Sequence, residues 1–526
     1  MYSISQKHNL KITLITEWFI KKLLITSILF IQLLTILSTP SFSQSNFLDS
    51  TFGVNGKVIT ALGSFGNKGN SVAIQSNEKI VIGGNFQTSF TTSDFALIRY
   101  NNNGTLDTSF GIGGQVITPI ENRSEGNSLV IQTDGKIILG GYSKQYINLV
   151  RYNKNGVLDT TFGLGGKVIT NIKNYYSEKC KSIAIQSDGK IVLGGYGQHN
   201  NNDKSYFLLV RYHNNGILDS TFGTNGIVIG NIGKANTMGI QNDGKILLGG
   251  YSNLSFALER YNSNGSLDST FGIDGKVITS IKSSSRGNTL AIQEDRKILL
   301  GGFSINNSSS ILDFTLQRYL SNGSLDNTFG VNGTVITPLG GSSEANSVAI
   351  QNNEKILLAG YTKNSSNVKN FALVRYNSNG TLDNNFGTDG KIVTPIGTSY
   401  SIGNSLGIIR SNGKIVLAGS VFNGTNLNVG IVRYNQEIRK DCYHHGGFCI
   451  YPNPISSTAT IHFDIPLHNA KLYIYNAYGQ IVKQIINISG QEVQLSRNNL
   501  PGGIYFLQLT EKNKIIANKK LVISSN

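Results

Sequence analysis

The sequence predicts an all-β protein, made of a seven-bladed β-propeller followed by a small C-terminal immunoglobulin-like β-sandwich. The first observation behind this prediction is a repeat, because LDSTFGVNGKVIT at 48–60 returns in close copies six more times before residue 400. The second is the character of the residues between copies. They form short, β-branched apolar runs separated by Asn-Gly, Asp-Gly and Gly-Gly turns, which is typical of strands rather than helices.

The spacing of the copies indicates a repeat architecture with loops of variable length. Their aspartates lie 49 to 60 residues apart and are Asp49, Asp107, Asp159, Asp219, Asp268, Asp326 and Asp383. Each repeat holds four apolar segments, which in the first repeat are 57–60, 71–75, 79–84 and 95–100. Four short strands predict an antiparallel sheet, and apolar residues on both of its faces place each sheet between two others. Seven such sheets fit one closed ring.

The two ends of the repeat region predict how the ring closes. KVIT at 57–60 precedes the first set of three further segments, and no such segment follows the last set at 405–434. If KVIT is an outer strand, 57–60 completes the blade whose other three strands come from 405–434, which protects the ring from opening. An open solenoid of the same sheets is the alternative, and it would leave a three-stranded sheet at the end.

Alternating strand directions divide the loops between two faces. The turns between the second and third segments and the RYNxxGxLDxxFGxxG connections keep their composition from repeat to repeat, and we call their side the constant face. The other connections differ in length, as GYGQHNNNDKSY from Gly195 and GYSNLS from Gly250 show, and their side is the variable face. Loops that vary on a fixed scaffold usually carry binding, so we expect a ligand there.

The N-terminal residues 1–43 predict a signal peptide with a long front segment. Lys21 and Lys22 precede an apolar run of about 15 residues at 23–37, which is shorter than the roughly 20 residues that cross a bilayer. We therefore expect cleavage near Gln44 and no membrane span in the mature chain.

The charge of the chain does not indicate nucleic acid as a partner. The formal net charge is +16 at pH 7, but no run of Lys and Arg forms a stripe with interleaved aromatic residues. The glycine pairs do not lie between a strand and a helix, so we expect no dinucleotide or phosphate-binding loop and no cofactor.

The sequence does not indicate a histidine-centred catalytic site. His199 and His213 are the only histidines of the repeat region, and HExxH and CxxC do not occur. We therefore predict no catalytic, cofactor-binding or metal-binding residues. An active site should break the repeat pattern at the propeller axis, and we expect no such break.

Two groups of residues keep an enzyme open as the alternative. The acidic residues of the variable face are scattered and are Glu121, Glu125, Asp203, Asp313 and Glu344. The only tryptophan is Trp18, so any sugar-stacking platform would need Tyr175, Tyr176 or Tyr400.

The three cysteines exclude a disulfide-dense scaffold. Cys180 is alone in its repeat and is expected to be an inert thiol. Cys442 and Cys449 flank a short polar spacer, and we predict a small disulfide loop between them. Zinc bound with His444 and His445 is the disfavoured alternative, because the spacing matches no standard zinc site.

The repeats resemble a known family. LDxxFGxxGxVxT, VAIQxDGKIxxGGY and FALxRYNxxGxLD are similar to the delta-60 repeats of bacterial secreted proteins, which are regarded as propeller-forming. The resemblance covers 48–434. It implies a propeller and brings no defined enzymatic activity.

After a spacer at 435–450, residues 451–526 resemble the type A C-terminal sorting domain of the type IX secretion system. The matching landmarks are YPNP at 451–454, LYIYNAYGQIV at 472–482, LPGGIYF at 500–506 and KKLV at 519–522. The resemblance implies the type IX secretion machinery as a partner of 451–526. It also implies release from the cell or attachment to its surface.

These features predict a secreted or cell-surface protein that acts as a binding or adhesion scaffold. Its ligand is an unknown extracellular molecule, a polysaccharide or a protein. An extracellular hydrolase or lyase that acts on polysaccharide from a site in the variable loops is the alternative. Of these two hypotheses, the sequence favours the binding or adhesion scaffold over the enzyme.

Overall fold

The computed structural model describes residues 47–524 apart from 64, 90, 122, 145, 203, 306–309, 437–447, 452–454, 456 and 513. Of the strand residues 449, 451, 462, 464 and 465, only the backbone is described. Several predictions fall outside the described residues, namely those for the signal peptide, Trp18, Asp203, His444, His445 and the disulfide of Cys442 with Cys449. Strands are the only regular elements in the described part of the chain, which confirms the all-β class.

The first 28 strands form seven four-stranded antiparallel blades. The chain enters with β1 (Lys57–Thr60). Blade 1 contains β2 (Asn67–Ile74), β3 (Ile80–Gln87), β4 (Ser93–Tyr100) and β5 (Gln115–Thr118). Blade 2 contains β6 (Ser124–Ile131), β7 (Ile137–Ser143), β8 (Tyr146–Tyr152) and β9 (Lys167–Thr170). Blade 3 contains β10 (Tyr175–Ile185), β11 (Ile191–His199), β12 (Ser205–Tyr212) and β13 (Ile227–Ile232).

The later blades keep the same order of strands. Blade 4 contains β14 (Lys234–Ile240), β15 (Ile246–Ser252), β16 (Ser255–Tyr261) and β17 (Lys276–Thr279). Blade 5 contains β18 (Ser285–Ile292), β19 (Ile298–Ile305), β20 (Leu312–Tyr319) and β21 (Thr334–Thr337). Blade 6 contains β22 (Ser343–Ile350), β23 (Ile356–Lys363), β24 (Lys369–Tyr376) and β25 (Lys391–Thr394). Blade 7 contains β26 (Tyr400–Ile408), β27 (Ile415–Phe422) and β28 (Leu427–Tyr434), and is completed by β1.

The first strand of every blade lies next to the first strands of both neighbouring blades, so these seven strands surround the axis. They are β2, β6, β10, β14, β18, β22 and β26. The fourth strand of each blade pairs with the third and forms its outer edge. This arrangement is the predicted ring of seven blades.

Pairing between the two ends of the repeat region closes the ring. Strand β1 is antiparallel to β28, with Lys57 opposite Val432 and Thr60 opposite Val429. The N-terminal outer strand therefore completes the last blade, which confirms the predicted closure. The open solenoid is wrong.

The second and third strands of each blade form the core between blades. Ile80, Val81 and Ile82 of β3 are at most 1% exposed. Val81 packs with residues of blade 2 such as Leu139, whereas Ile82 packs with residues of blade 7 such as Val416. Alternate side chains of one strand thus bury apolar surface against opposite neighbours, at about 25 cal/mol for each Å² removed from water.

In each blade, one residue of the second strand must be glycine because the backbone of the first strand approaches it closely. A Cβ on Gly302 would lie 1.9 Å from the carbonyl oxygen of Arg286. The first strand has a register shift at this point, between Gly287 and Thr289. Such an irregularity brings the two backbones too close for any side chain, so the second residue of each Gly-Gly or Ala-Gly pair must be glycine.

The repeated Asp, Arg and Phe residues build one corner per blade on the constant face. Asp107 Oδ1 accepts hydrogen bonds from the backbone nitrogen (3.2 Å) and the hydroxyl (2.7 Å) of Ser109, two residues later, as aspartates in turns commonly do. Its Oδ2 accepts from Arg99 Nε at 2.6 Å and from Lys79 Nζ at 2.7 Å. The Arg99 guanidinium lies 4.4 Å from the centroid of the Phe110 ring. The seven Arg–Asp pairs are Arg433–Asp49, Arg99–Asp107, Arg151–Asp159, Arg211–Asp219, Arg260–Asp268, Arg318–Asp326 and Arg375–Asp383.

The C-terminal part forms a small antiparallel β-structure with its own core. Its strands are β29 (Phe448–Tyr451), β30 (Thr458–Tyr475), β31 (Ile481–Ser496), β32 (Gly503–Glu511) and β33 (Lys514–Ile523). The sheet order is β29-β30-β32-β33, and β31 pairs with β30. Ile455, Ile461, Phe463, Leu472 and Leu507 are completely buried in its core. The immunoglobulin-like topology of this part stays a prediction.

Candidate functional site at the propeller axis

A ring of asparagines joins the first strands around the axis. In six blades, an asparagine Nδ2 donates to a backbone carbonyl of the next first strand, over 2.8 to 3.0 Å. The pairs are Asn70–Gly126, Asn127–Cys180, Asn236–Gly287, Asn288–Ala345, Asn346–Gly403 and Asn404–Gly69.

A ring of hydroxyl groups runs beside the asparagines. The residue after each of them is Ser or Thr, whose oxygen accepts from a backbone N–H of the next blade. These six pairs are Ser71–Leu129, Ser128–Ile183, Thr237–Leu290, Thr289–Val348, Ser347–Leu406 and Ser405–Val72. Among the described residues, the step from blade 3 to blade 4 is the one step without either hydrogen bond.

Lys181 stands in blade 3 where the other six blades have asparagine. The sequence-based expectation of no break at the axis is therefore wrong. The signal was present in the sequence, because alignment on Gln132 and Gln186 places Lys181 opposite Asn127. The uneven spacing of the repeats hides it, since β10 has eleven residues and register shifts on both sides of Lys179 and Cys180.

Charged side chains gather near the variable-face end of the first strands. Six blades have a charged residue two positions before the asparagine position, and blade 7 has Ile402 there. We call the following residues the axial rim: Lys68, Glu125, Lys179, Lys181, Lys234, Arg286, Glu344 and Ile402. The axial rim thus contains five cationic side chains and two carboxylates.

Lys181 points toward blade 2. Its Nζ lies 5.6 Å from the centroid of the Tyr142 ring. Burial lowers the pKa of Lys181, the negative charge of Glu125 opposes this, and the positive charge of Lys179 adds to it. Both effects that lower the pKa disfavour the ammonium form, so a further negative charge at this place would stabilise it.

Aromatic rings of the second strands lie beside the cations of the next blade. The ring centroids are within 5.3 Å of the charged groups, which is a favourable cation–π distance. The contacts are Lys179 Nζ to Tyr142 at 4.3 Å, Lys234 Nζ to Tyr196 at 5.3 Å and Arg286 Cζ to Tyr251 at 5.0 Å. These rings fix the cations of three successive blades along one arc of the axial rim.

The two carboxylates of the axial rim are already hydrogen-bonded to tyrosines. The Tyr142 hydroxyl donates to Glu125 Oε2 at 2.7 Å, and Lys68 Nζ lies 3.5 Å from Glu125 Oε1. The Tyr361 hydroxyl donates to Glu344 Oε1 at 2.6 Å. Burial raises the pKa of Glu125, but the charge of Lys68 and the Tyr142 hydrogen bond outweigh it and hold this pKa below its usual value. Glu125 is therefore a charged acceptor rather than a proton donor at neutral pH.

A second polar cluster lies beside the axial rim in blade 3. The Tyr175 ring packs edge-on against His199 at 5.0 Å and against Tyr206 at 6.1 Å between centroids. Glu178 is completely buried nearby, and its Oε1 accepts from the Ile172 nitrogen at 3.1 Å. Its Oε2 has no hydrogen-bond partner among the described residues, and burial raises the pKa of Glu178 to about 7. This carboxyl can change its charge near neutral pH.

The structure separates the acidic residues that were considered as catalytic candidates. Glu125 and Glu344 lie on the axial rim in blades 2 and 6. Glu121 lies in the connection before β6, and Asp313 is buried with Oδ2 3.8 Å from Lys282 Nζ. Within the described residues, no three His, Cys, Asp or Glu side chains gather in a way that could hold a metal ion.

The remaining candidate residues that the structure describes do not form a shared site, and each has its own local contacts. His213 lies on the constant face, with Nε2 3.7 Å from Asp219 Oδ1. Cys180 is 1% exposed, and burial raises the pKa of its thiol to about 12, which suits the predicted inert thiol. The centroid of the Tyr400 ring lies 5.2 Å from Lys369 Nζ.

Comparison with protein families identifies both parts of the chain. The family described as "domain of unknown function (DUF5122) beta-propeller" matches seven times, at 75–110, 132–162, 186–222, 241–271, 293–329, 351–386 and 410–437. The family described as "secretion system C-terminal sorting domain" matches 449–524. The chain is a DUF5122 β-propeller protein with a C-terminal sorting domain. Comparison with curated proteins gives no match.

Three solved structures illustrate the likeness of fold. PorZ, a surface component of the type IX secretion system of Porphyromonas gingivalis, is 10% identical, with a TM-score of 0.36 over 86% of this chain and 59% of that one. A catalytically inactive virginiamycin B lyase from Staphylococcus aureus is 12% identical, with a TM-score of 0.40 over 72% and 98%. The NanB sialidase of Streptococcus pneumoniae is 12% identical, with a TM-score of 0.35 over 74% and 70%. This chain thus spans less than two thirds of the PorZ chain. Likeness at this level carries no functional implication.

The sorting domain determines the destination of this DUF5122 protein. It directs export through the type IX secretion system, so the protein is secreted or attached to the outer cell surface, as predicted. The type IX machinery is accordingly its partner during export. None of the described residues forms a helix long and apolar enough to cross a membrane.

Proposed function

We propose that this protein is an extracellular binding or adhesion scaffold whose ligand contacts the variable face. The observation that carries the proposal is the axial rim, where five cations and two carboxylates from six blades come together beside loops of unequal length. Charged side chains gathered on a rigid closed ring are typical of a recognition surface. The constant face instead repeats the same Asp-Arg-Lys corner in seven blades.

The architecture favours binding because it fixes the site without restricting the loops. The cations are held on first strands, which are joined to both neighbours by the asparagine and hydroxyl rings. The variable connections do not contribute to those rings, so they can change without loss of the scaffold. A ligand at the axial rim would therefore be positioned by rigid residues and selected by the loops.

A ligand panel tests the proposal. The exported protein is incubated with immobilised polysaccharides and glycoproteins, and both retention and soluble products are measured. We expect retention without products. Release of oligosaccharides would contradict the proposal and favour the polysaccharide hydrolase or lyase, whereas no retention on any member would leave the scaffold without a ligand of these classes and overturn it.

A loop exchange connects any retention to the variable face. Tyr196 pairs with Phe207 and Tyr251 pairs with Phe256, so 197–206 can be replaced by the shorter SNLS of 252–255 without a change of register. We expect weaker retention after this exchange. The control exchanges the turn of the opposite face, 187–190 for 242–245, which changes only Ser187 to Asn and should leave retention unchanged.

A further inference from the structure

We propose that the axial rim binds the carboxylate groups of an acidic polysaccharide, with the centre of the site at Lys179 and Lys181. This inference rests on the proposed function and names the chemistry of its ligand. Three observations support it: an excess of cations, the replacement of a structural asparagine by lysine, and the spread of cations over successive blades.

The cations of blades 1 to 3 outnumber the carboxylate beside them. Lys68 pairs with Glu125 at 3.5 Å, and the other oxygen of Glu125 accepts from Tyr142. Among the described residues, neither Lys179 nor Lys181 has a carboxylate within 4.0 Å. Lys179 donates instead to the Tyr142 hydroxyl at 3.2 Å, which is neutral. Two positive charges therefore lie next to one ring without a carboxylate in direct contact, and the one carboxylate whose charge reaches them, Glu125, also pairs with Lys68.

Lysine at position 181 costs stability unless it has another use. Asparagine at this place links two blades in the six other steps of the ring, and Lys181 forms no such bond to blade 4. The half-buried ammonium also lies near the like charge of Lys179. The missing hydrogen bond between blades and the repulsion between Lys181 and Lys179 are both unfavourable in the free protein. A bound anion would offset the repulsion. A like-charge contact that a bound anion would relieve is typical of an anion-binding site.

The spread of the cations indicates a polymer. Lys179, Lys234 and Arg286 lie on the first strands of blades 3, 4 and 5, and each is fixed by a tyrosine of the preceding blade. A single small anion can contact one or two of these groups. A chain with a carboxylate on each sugar can contact the whole arc, so its affinity increases with the number of sugars.

Lys181→Asn is a direct test because it restores the residue of the other six blades. The variant should keep or increase its thermal stability. The matched control is Lys154→Asn on the constant face, where Lys154 is exposed and the equivalent positions include Asn102 and Asn214. Both variants replace a lysine by asparagine and lose one positive charge, so the loss of charge is matched and its place differs.

Isothermal titration calorimetry of the exported protein with polygalacturonate measures the effect. Lys181→Asn removes a charge-assisted hydrogen bond to the carboxylate, so it should weaken binding at least about tenfold. Lys154→Asn should bind as the unchanged protein does. Neutral dextran should not bind, and affinity for polygalacturonate should fall as salt increases.

Three further arms give distinct outcomes. If galacturonic acid or inorganic phosphate binds as tightly as the polymer, the ligand of the site is a small anion and the polysaccharide proposal is wrong. Equal affinities of Lys181→Asn and Lys154→Asn would place the binding elsewhere. If polygalacturonate does not bind while another member of the ligand panel does, the anion site is wrong and the scaffold function stands; if nothing binds, both are wrong.

Discussion

Arg433 Nε donates to Asp49 Oδ2 over 2.6 Å, between residues that lie 384 positions apart in the chain. The equivalent pair in each of the other six blades joins residues only 8 positions apart. Both side chains of the long-range pair are 4% exposed. The seventh corner therefore uses the same chemistry as the others but links the N-terminal segment to the last blade. The antiparallel pairing of β1 with β28 makes the same link.

Asp49→Asn should weaken the closure of the ring. The substitution leaves the buried Arg433 without its carboxylate, which typically costs about 3–5 kcal/mol. Urea unfolding measures this loss, and hydrogen exchange in β1 and β28 measures the opening of the closure. Asp326→Asn is the control, because it breaks the same corner in the interior of the ring. The two variants should lose similar free energy, and only Asp49→Asn should increase exchange in β1; equal exchange in β1 would contradict the assigned role.

The corners should make the propeller sensitive to acid. Burial raises the pKa of Asp107, but the hydrogen bonds from Lys79 and Ser109 and the charge of Arg99 outweigh it and lower this pKa well below its ordinary value near 3.8. The pKa values of the other six corner aspartates are also lowered. An aspartate with a lowered pKa stabilises the fold above its ordinary pKa, and this contribution is lost as pH falls through the folded value.

Urea unfolding between pH 6 and pH 3 checks the acid sensitivity. The free energy of unfolding should be nearly constant near pH 6 and decrease below about pH 4.5, as the unfolded chain begins to take up protons. Asp107→Asn should be less stable at pH 6 and should show a smaller decrease. A decrease of the same size in Asp107→Asn and in the unchanged protein would show that the corner aspartates are not its cause.

A neighbouring pair of glycines separates backbone approach from ordinary packing. A Cβ at Gly302 would meet the Arg286 carbonyl oxygen at 1.9 Å, whereas a Cβ at Gly301 would meet the end of the Leu358 side chain at 2.8 Å. A flexible side chain can move and a paired backbone cannot. Gly302→Ala should therefore cost about 3 kcal/mol or more in thermal or urea unfolding, and Gly301→Ala about 1 kcal/mol. Similar losses in the two variants would contradict the explanation of the glycine pairs.

The architecture could be predicted from the sequence because its determinants are repeated. Seven aspartates in close copies of one motif predict the blade number, and the additional KVIT at 57–60 predicts the closure. The turn geometry of the aspartates was also predictable, since in six of the seven copies a short carboxylate follows the Arg of Arg-Tyr by eight residues. The Arg99–Asp107 pair was not, because the two side chains meet only after the connection has folded back.

The axial rim could be predicted only in part. Lys181 is visible as an exception once the repeats are aligned, but its consequence depends on a contact between blades that no single repeat contains. The approach of Lys179 to Tyr142 likewise requires the ring geometry and the irregular register of β10. Glu125 was recognised as a charged residue of the variable face, yet its hydrogen bond with Tyr142 became visible only when the two strands were paired.

Glu178→Gln should stabilise the protein at alkaline pH and not at acidic pH. The folded pKa is raised by burial to about 7 from an ordinary value of 4.5, so the folded state holds a proton that the unfolded chain releases between these values. The free energy of unfolding should therefore decrease as pH rises from about 4.5 to 7 and then remain level, with a total loss of roughly 3 kcal/mol. A glutamine cannot ionise, so it removes this loss. Urea unfolding at pH 5, 6, 7 and 8 should show the advantage of Glu178→Gln increasing with pH, whereas the exposed Glu294→Gln control should show no such trend. An advantage that does not change with pH would mean that Glu178 is already charged in the folded protein at pH 5, and that its Oε2 has a stabilising partner.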